Sequence, residues 1–99
     1  DYVIIEADGA KHHSLKYPAA DEPVIYPGTT DVIIVLGTWE KGRLCKDVVF
    51  RYELMQKELG TAEDAVVDDS VIDKLRQVYV RKLRDSGFEG RILSCLAKN

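Results

Sequence analysis

A chain of 99 residues is one domain, large enough to bury about 60–65% of the surface that its unfolded form exposes. Its 45% apolar and 31% charged residues place it among ordinary globular proteins, and a net charge of −3 excludes the broad basic face of a sequence-independent nucleic-acid binder. No apolar stretch approaches the ~18 residues that span a bilayer. The two cysteines, Cys45 and Cys95, have no partner pattern and suit reduced thiols in a cytoplasmic protein.

The first element is a strand over residues 2–6. It begins one residue into the chain, which reads as the interior of a longer protein rather than a natural start. Residues 8–30 follow, with Pro18, Pro23 and Pro27 and a single short apolar segment at Val24-Ile25. Three prolines forbid a long helix there, and an irregular connection of about 20 residues inside a compact domain is more often functional than incidental. A second strand spans residues 31–36. Val3-Ile4-Ile5 and Val32-Ile33-Ile34-Val35-Leu36 are continuously apolar, as in strands covered on both faces.

Two helices come next. Val49, Phe50, Leu54, Met55 and Leu59 form one apolar stripe, with Gly60 as its stop. Ser70 is the expected cap of the second, with Asp73 in a capping-box position. Val71, Ile72, Leu75, Val78, Tyr79 and Leu83 form its apolar face, and Gly87 follows its end. A third strand covers residues 91–96. Strand, long loop, strand, helices, strand predicts a single α/β domain over residues 1–99, part of a three-layer, mainly parallel sheet. Right-handed crossovers place the C-terminal ends of all three strands on one edge, where such folds bind ligands.

The first strand ends in Glu6-Ala7-Asp8-Gly9. Glu6 and Asp8 are candidate Mg²⁺ ligands, and the Gly9 amide allows close approach of a phosphate. A polar turn leaving a strand accounts for the same residues without function. Lys11 and Lys16 are candidate anion contacts, while His12 and His13 read as solvated loop histidines whose side chains diverge. Lys98, past the third strand, sits where GTPases carry N-K-x-D, but Ala97 replaces the asparagine, so guanine recognition is not expected. Trp39, Tyr52, Tyr79 and Cys95 read as packing residues. No G-x-x-x-x-G-K-[ST] occurs in the chain, so it has no phosphate cradle of the usual kind.

Glu6-Ala7-Asp8-Gly9-Ala10-Lys11, Leu15-Lys16-Tyr17-Pro18-Ala19 and Glu22-Pro23-Val24-Ile25 together resemble the selenium-dependent hydroxylase accessory proteins of the YqeC type. The likeness continues through Gly37, Gly42-Arg43-Leu44 and Phe50-Arg51-Tyr52-Glu53-Leu54. It departs at Ser14 and Tyr26, where that family tends to carry proline. The resemblance implies a fold of phosphate-loop NTPase type, incomplete in this chain, whose phosphate-binding loop lies upstream of residue 1. It implies a nucleotide-binding accessory protein in the maturation of a selenium-dependent molybdenum hydroxylase, with that enzyme or its maturation proteins as partners. Mg²⁺ with a nucleoside triphosphate is the implied cofactor. Glu6 and Asp8 then become the metal-side acids, Gly9 the close backbone approach, Lys11 and Lys16 the anion contacts, and Arg51 a polar contact from the following helix.

Two other readings stand beside this one. The 8–30 loop suits a non-catalytic module that docks a partner or a cofactor-bearing protein. A phospho-acceptor switch at Asp8 with Lys98 is the third, and the length of the loop argues against it.

Overall fold

The computed structural model describes residues 2–7 and 15–97. Strand β1 (Tyr2–Glu6) is followed by the two-residue β2 (Leu15–Lys16) and by β3 (Asp31–Gly37). Next come a single helical turn, α1 (Cys45–Val48), a short β4 (Val49–Phe50), and helices α2 (Tyr52–Leu59) and α3 (Asp69–Asp85). The last element is β5 (Arg91–Ala97). The main sheet runs β1-β3-β5 and is parallel throughout, with Tyr2 beside Asp31 and Asp31 beside Arg91. A second, parallel pair joins Leu15 to Val49 and Lys16 to Phe50. The domain is thus α/β with parallel sheets, as the sequence predicts.

The parallel register puts Val32, Ile34 and Leu36 on one face of the central strand, and all three are fully buried. Helix α3 supplies the matching surface through Ile72, Leu75, Val78, Tyr79 and Leu83, with Val71 partly buried at its margin. This is the apolar stripe that the 3.6-residue periodicity predicts. Each of these side chains stabilises the fold by about 1.5–3 kcal/mol through burial.

The opposite face departs from expectation. Ile4 and Leu93 lie on it at 53% and 43% exposure, beside the half-buried Ile33 and Val35. Among the described residues no helix covers it, so the sheet is covered on one side rather than both. Continuous apolar runs report that both faces of a strand avoid water; they do not report which element does the covering. Cys95 lies on this open face and is exposed rather than packed in the core. Cys45 is buried, and burial, aided by the nearby Asp68 charge, pushes its thiol pKa up.

Local chemistry also moves the helix starts. Ser70 lies inside α3; the cap is Asp68, whose Oδ1 accepts from the Val71 amide at 2.9 Å. An aspartate two residues earlier outcompetes the serine because its carboxylate reaches the first-turn amides and favours the positive end of the helix dipole. Asp73 instead accepts from Arg76 and Gln77 along the helix surface. Helix α2 starts at Tyr52, not at Val49, because Arg51 adopts a left-handed conformation (φ 65°) that turns the chain out of β4. Gly60 ends α2 in the left-handed conformation, as predicted.

The 8–30 connection is less irregular than its prolines suggest. Leu15 and Tyr17 are at most 1% exposed and anchor it in the core, whereas Val24 stays 59% exposed. Of the other aromatic residues, Tyr79 and Tyr52 are buried with their hydroxyls on carbonyl oxygens, while Trp39 is 39% exposed.

Two substitutions test this packing. Leu75→Ala, at a fully buried position, is expected to lower the unfolding free energy by about 2–4 kcal/mol. Asp68→Ala is expected to lower it by about 1 kcal/mol through loss of the cap. Urea titrations of both variants beside the wild type measure these differences.

Candidate functional site

The C-terminal ends of the three parallel strands lie along one edge of the sheet. Glu6 ends β1 beside Val35, and Gly37 ends β3 beside Ala97. Pairing continues one residue further, with the Ala7 amide donating to the Val35 carbonyl at 2.8 Å. Thr38 closes β3 onto β5, its amide and hydroxyl both donating to the Ala97 carbonyl. On the far side of residues 8–14 the chain returns to the same place, where the Lys16 amide donates to the Ala7 carbonyl at 2.7 Å.

That return brings Glu6 and Lys16 to one cleft of about 260 Å³, lined also by Glu22, Pro23 and Tyr79. The Glu6 side chain is exposed and has no partner among the described residues. Lys16 is committed: its ammonium lies 3.1 Å from Glu22 Oε2. Arg51 reaches the same carboxylate from the start of α2, with Nη1 3.1 Å from Oε1 and 3.3 Å from the Tyr17 carbonyl. The Ala19 amide completes the set by donating to Oε1 at 3.0 Å. The Arg51 guanidinium also stacks 4.7 Å from the Phe50 ring centroid.

Glu22 is therefore a hub that gathers the proline-rich loop. The hydrogen bond from the Ala19 amide, then that from Lys16 and the charges of Lys16 and Arg51, hold its carboxyl below the usual glutamate range, against an opposing push from burial. Three further side chains fasten the loop. The Tyr17 hydroxyl donates to Glu58 Oε1 at 2.6 Å, and burial followed by this bond raises its pKa well above the ordinary tyrosine value. The Tyr79 hydroxyl donates to the Lys16 carbonyl at 2.8 Å, and the Lys82 ammonium donates to the Ala19 carbonyl at 3.2 Å.

Of the residues predicted for the site, Glu6 and Lys16 thus share a cleft, and Arg51 joins them through Glu22. Arg51 acts from the turn before α2 rather than from the helix. Asp8, Gly9, Lys11 and Lys98, with His12 and His13, lie outside the described residues. Among the described residues no three His, Cys, Asp or Glu side chains cluster as a metal cage. Glu6 suits a cation that keeps most of its waters and takes one or two carboxylates, as Mg²⁺ does. No helix is long and apolar enough to cross a membrane.

Sequence reasoning missed Glu22 as the centre, and with it Tyr17, Glu58 and Lys82. A glutamate before proline reads as loop shape, and only the fold shows that residues 29 and 41 positions apart meet.

The depressed Glu22 pKa gives a signed prediction. Its contribution to stability is present above the unfolded glutamate pKa of about 4.3 and is lost as pH falls through the lower folded value. Glu22→Gln is expected to cost about 1–2 kcal/mol at pH 7, and the gap from wild type is expected to close below about pH 4. Urea titrations of both proteins between pH 7 and pH 3 measure it.

No curated protein and no solved structure matches the chain significantly. The family model described as YqeC protein matches residues 1–53, a span that holds Glu6, Lys16, Glu22 and Arg51. As that span is more than half of the 99 residues, the chain belongs to the YqeC family.

Proposed function

We propose that this chain supplies the metal-side half of a Mg-nucleotide site in a YqeC accessory protein, and that the protein serves the maturation of a selenium-dependent molybdenum hydroxylase. The observation that carries the reading is the meeting of Glu6 and Lys16 in one cleft beside the C-terminal end of β1. Parallel α/β sheets bind ligands at that edge, because strand ends and the loops after them converge there. An exposed carboxylate with no partner among the described residues, in one cleft with a lysine, suits a hydrated cation and the phosphate oxygens that share it.

In this reading Glu6 holds the cation, with Asp8 as second acid. Gly9 allows the phosphate chain to approach the backbone, and Lys11 offers an ammonium to it. Lys16 turns from Glu22 toward the phosphate when the anion arrives, while Arg51 keeps Glu22 compensated. Lys98 is a further anion contact in the same reading. The chain has no G-x-x-x-x-G-K-[ST], so the cradle for the β- and γ-phosphates comes from outside it. The cation, when bound, neutralises phosphate charge; the residues here orient it.

Titration of ATP and GTP, with and without Mg²⁺, tests this against the chain joined to whatever sequence its gene encodes upstream of Asp1. Glu6→Gln is expected to weaken the Mg-dependent part of binding about tenfold and to leave Mg-free binding unchanged. A protein that ignores both nucleotides, or a Glu6→Gln variant that binds them as wild type does, overturns the reading.

A further inference from the structure

A cleft larger than the one that holds Glu6 lies at the other end of the sheet. About 500 Å³ in volume, it separates residues 23–29, which lead into β3, from residues 86–90, which lead into β5. It therefore opens at the N-terminal edge of the strands, opposite Glu6. A second cleft of about 340 Å³ shares Pro23 and Ser86 with it and extends the groove toward Asp21 and Asp85.

The walls are preformed. On one side the Thr29 amide and hydroxyl both donate to the Tyr26 carbonyl, closing a turn that needs the positive φ (92°) of Gly28. On the other side Arg84 Nη1 donates to the Phe88 and Gly90 carbonyls at 3.0 and 2.9 Å. Gly90 has no room for a side chain, since a Cβ there would collide with the Thr30 carbonyl oxygen and the Phe88 ring. Tyr26, 70% exposed, lines the cleft together with Pro23 and Pro27. Fixed aromatic and proline surfaces receive an extended chain at little entropic cost.

The charge of the groove selects its occupant. Asp21, Asp85 and Glu89 line it and have no partner among the described residues. Glu22 also lines it but is compensated by Lys16 and Arg51. The cations nearby are committed to backbone: Lys82 to the Ala19 and Ala20 carbonyls, and Arg84 to those of Phe88 and Gly90. The C-terminal end of the 17-residue α3 opens here too and adds the negative pole of its dipole. Exposed carboxylates, a negative helix end and the open ring of Tyr26 all favour a cation held against an apolar wall.

We propose that this groove binds an extended, basic segment of a partner protein, with arginine or lysine side chains alternating with apolar ones. The basic groups meet Asp21, Asp85 and Glu89, and the apolar ones pack on Tyr26 and the prolines. This groove shares Glu22 and Pro23 with the cleft that holds Glu6, but the basic-segment proposal does not rest on the reading given to that cleft.

A fluorescein-labelled peptide of alternating arginine and leucine, titrated into the 99-residue chain, tests the proposal by anisotropy and amide chemical shifts. The expected result is saturable, salt-sensitive binding that moves the amides of Tyr26, Gly28, Gly87 and Gly90. The combined Asp21→Asn, Asp85→Asn, Glu89→Gln variant, altered only at surface positions, is expected to bind about tenfold more weakly with unchanged circular dichroism. A peptide with glutamate in place of arginine is expected not to bind. Three outcomes overturn the proposal: shifts confined to other amides, wild-type affinity in the triple variant, or spermine moving the same amides with equal affinity, which would make the site one for small polycations.

Discussion

Two cations and one amide meet on the Glu22 carboxylate, and the arrangement of the whole N-terminal half follows from that meeting. Lys16 comes from β2, Arg51 from the turn between β4 and α2, and the Ala19 amide from the loop itself. A carboxylate at about one-third exposure pays for partial desolvation only if its oxygens are well supplied with donors, and here both are. The result is a proline-containing loop tied at residues 16–22 by side chains from β2, the β4–α2 turn, α2 and α3. Because β2 pairs with β4, and the hub joins Lys16 of β2 to Arg51 just after β4, the clamp also bears on where α2 begins.

The clamp explains why the loop can serve two edges of the sheet at once. Its first part, near Lys16, sits beside the C-terminal end of β1, where Glu6 is exposed. Its last part, Pro23 to Thr29, leads into the N-terminal end of β3 and forms one wall of the larger groove. Between them lies Glu22. A loop that was free to move would present neither surface in a fixed shape, and binding there would carry the entropic cost of ordering about twenty residues.

The sequence reveals the elements that obey a period and conceals those that depend on contacts between distant residues. The three main strands and α3 were legible because β-branched runs and a 3.6-residue stripe are local signals; the observed strand bounds differ from expectation by no more than one residue, and α3 starts two residues early. The start of α2 was not legible, since an arginine at positive φ carries no sequence mark as a glycine does. Glu6, Lys16 and Arg51 were identifiable as polar residues near strand ends, but their convergence depends on pairings across 29 and 6 positions that no pattern announces. Leu15 and Tyr17 were overlooked for a related reason. Two apolar residues flanking a lysine look incidental until Leu15 and Lys16 are seen to pair with β4 and the Tyr17 amide to donate to the Phe50 carbonyl.

The uncovered sheet face and the depressed Glu22 pKa bear on each other. Among the described residues helices cover one side of the main sheet only, so the β1–β3 pairing draws support also from what holds the loop between them. That support is electrostatic as well as apolar: Leu15 and Tyr17 bury surface, while Glu22, Tyr17–Glu58 and Tyr79 supply directional bonds. Directional bonds set a geometry more sharply than burial does, because a carboxylate 3.1 Å from two cations tolerates little displacement. A domain whose first strand is placed by such bonds keeps Glu6 in register with Val35, and so keeps its exposed carboxylate at a defined point on the edge of the sheet.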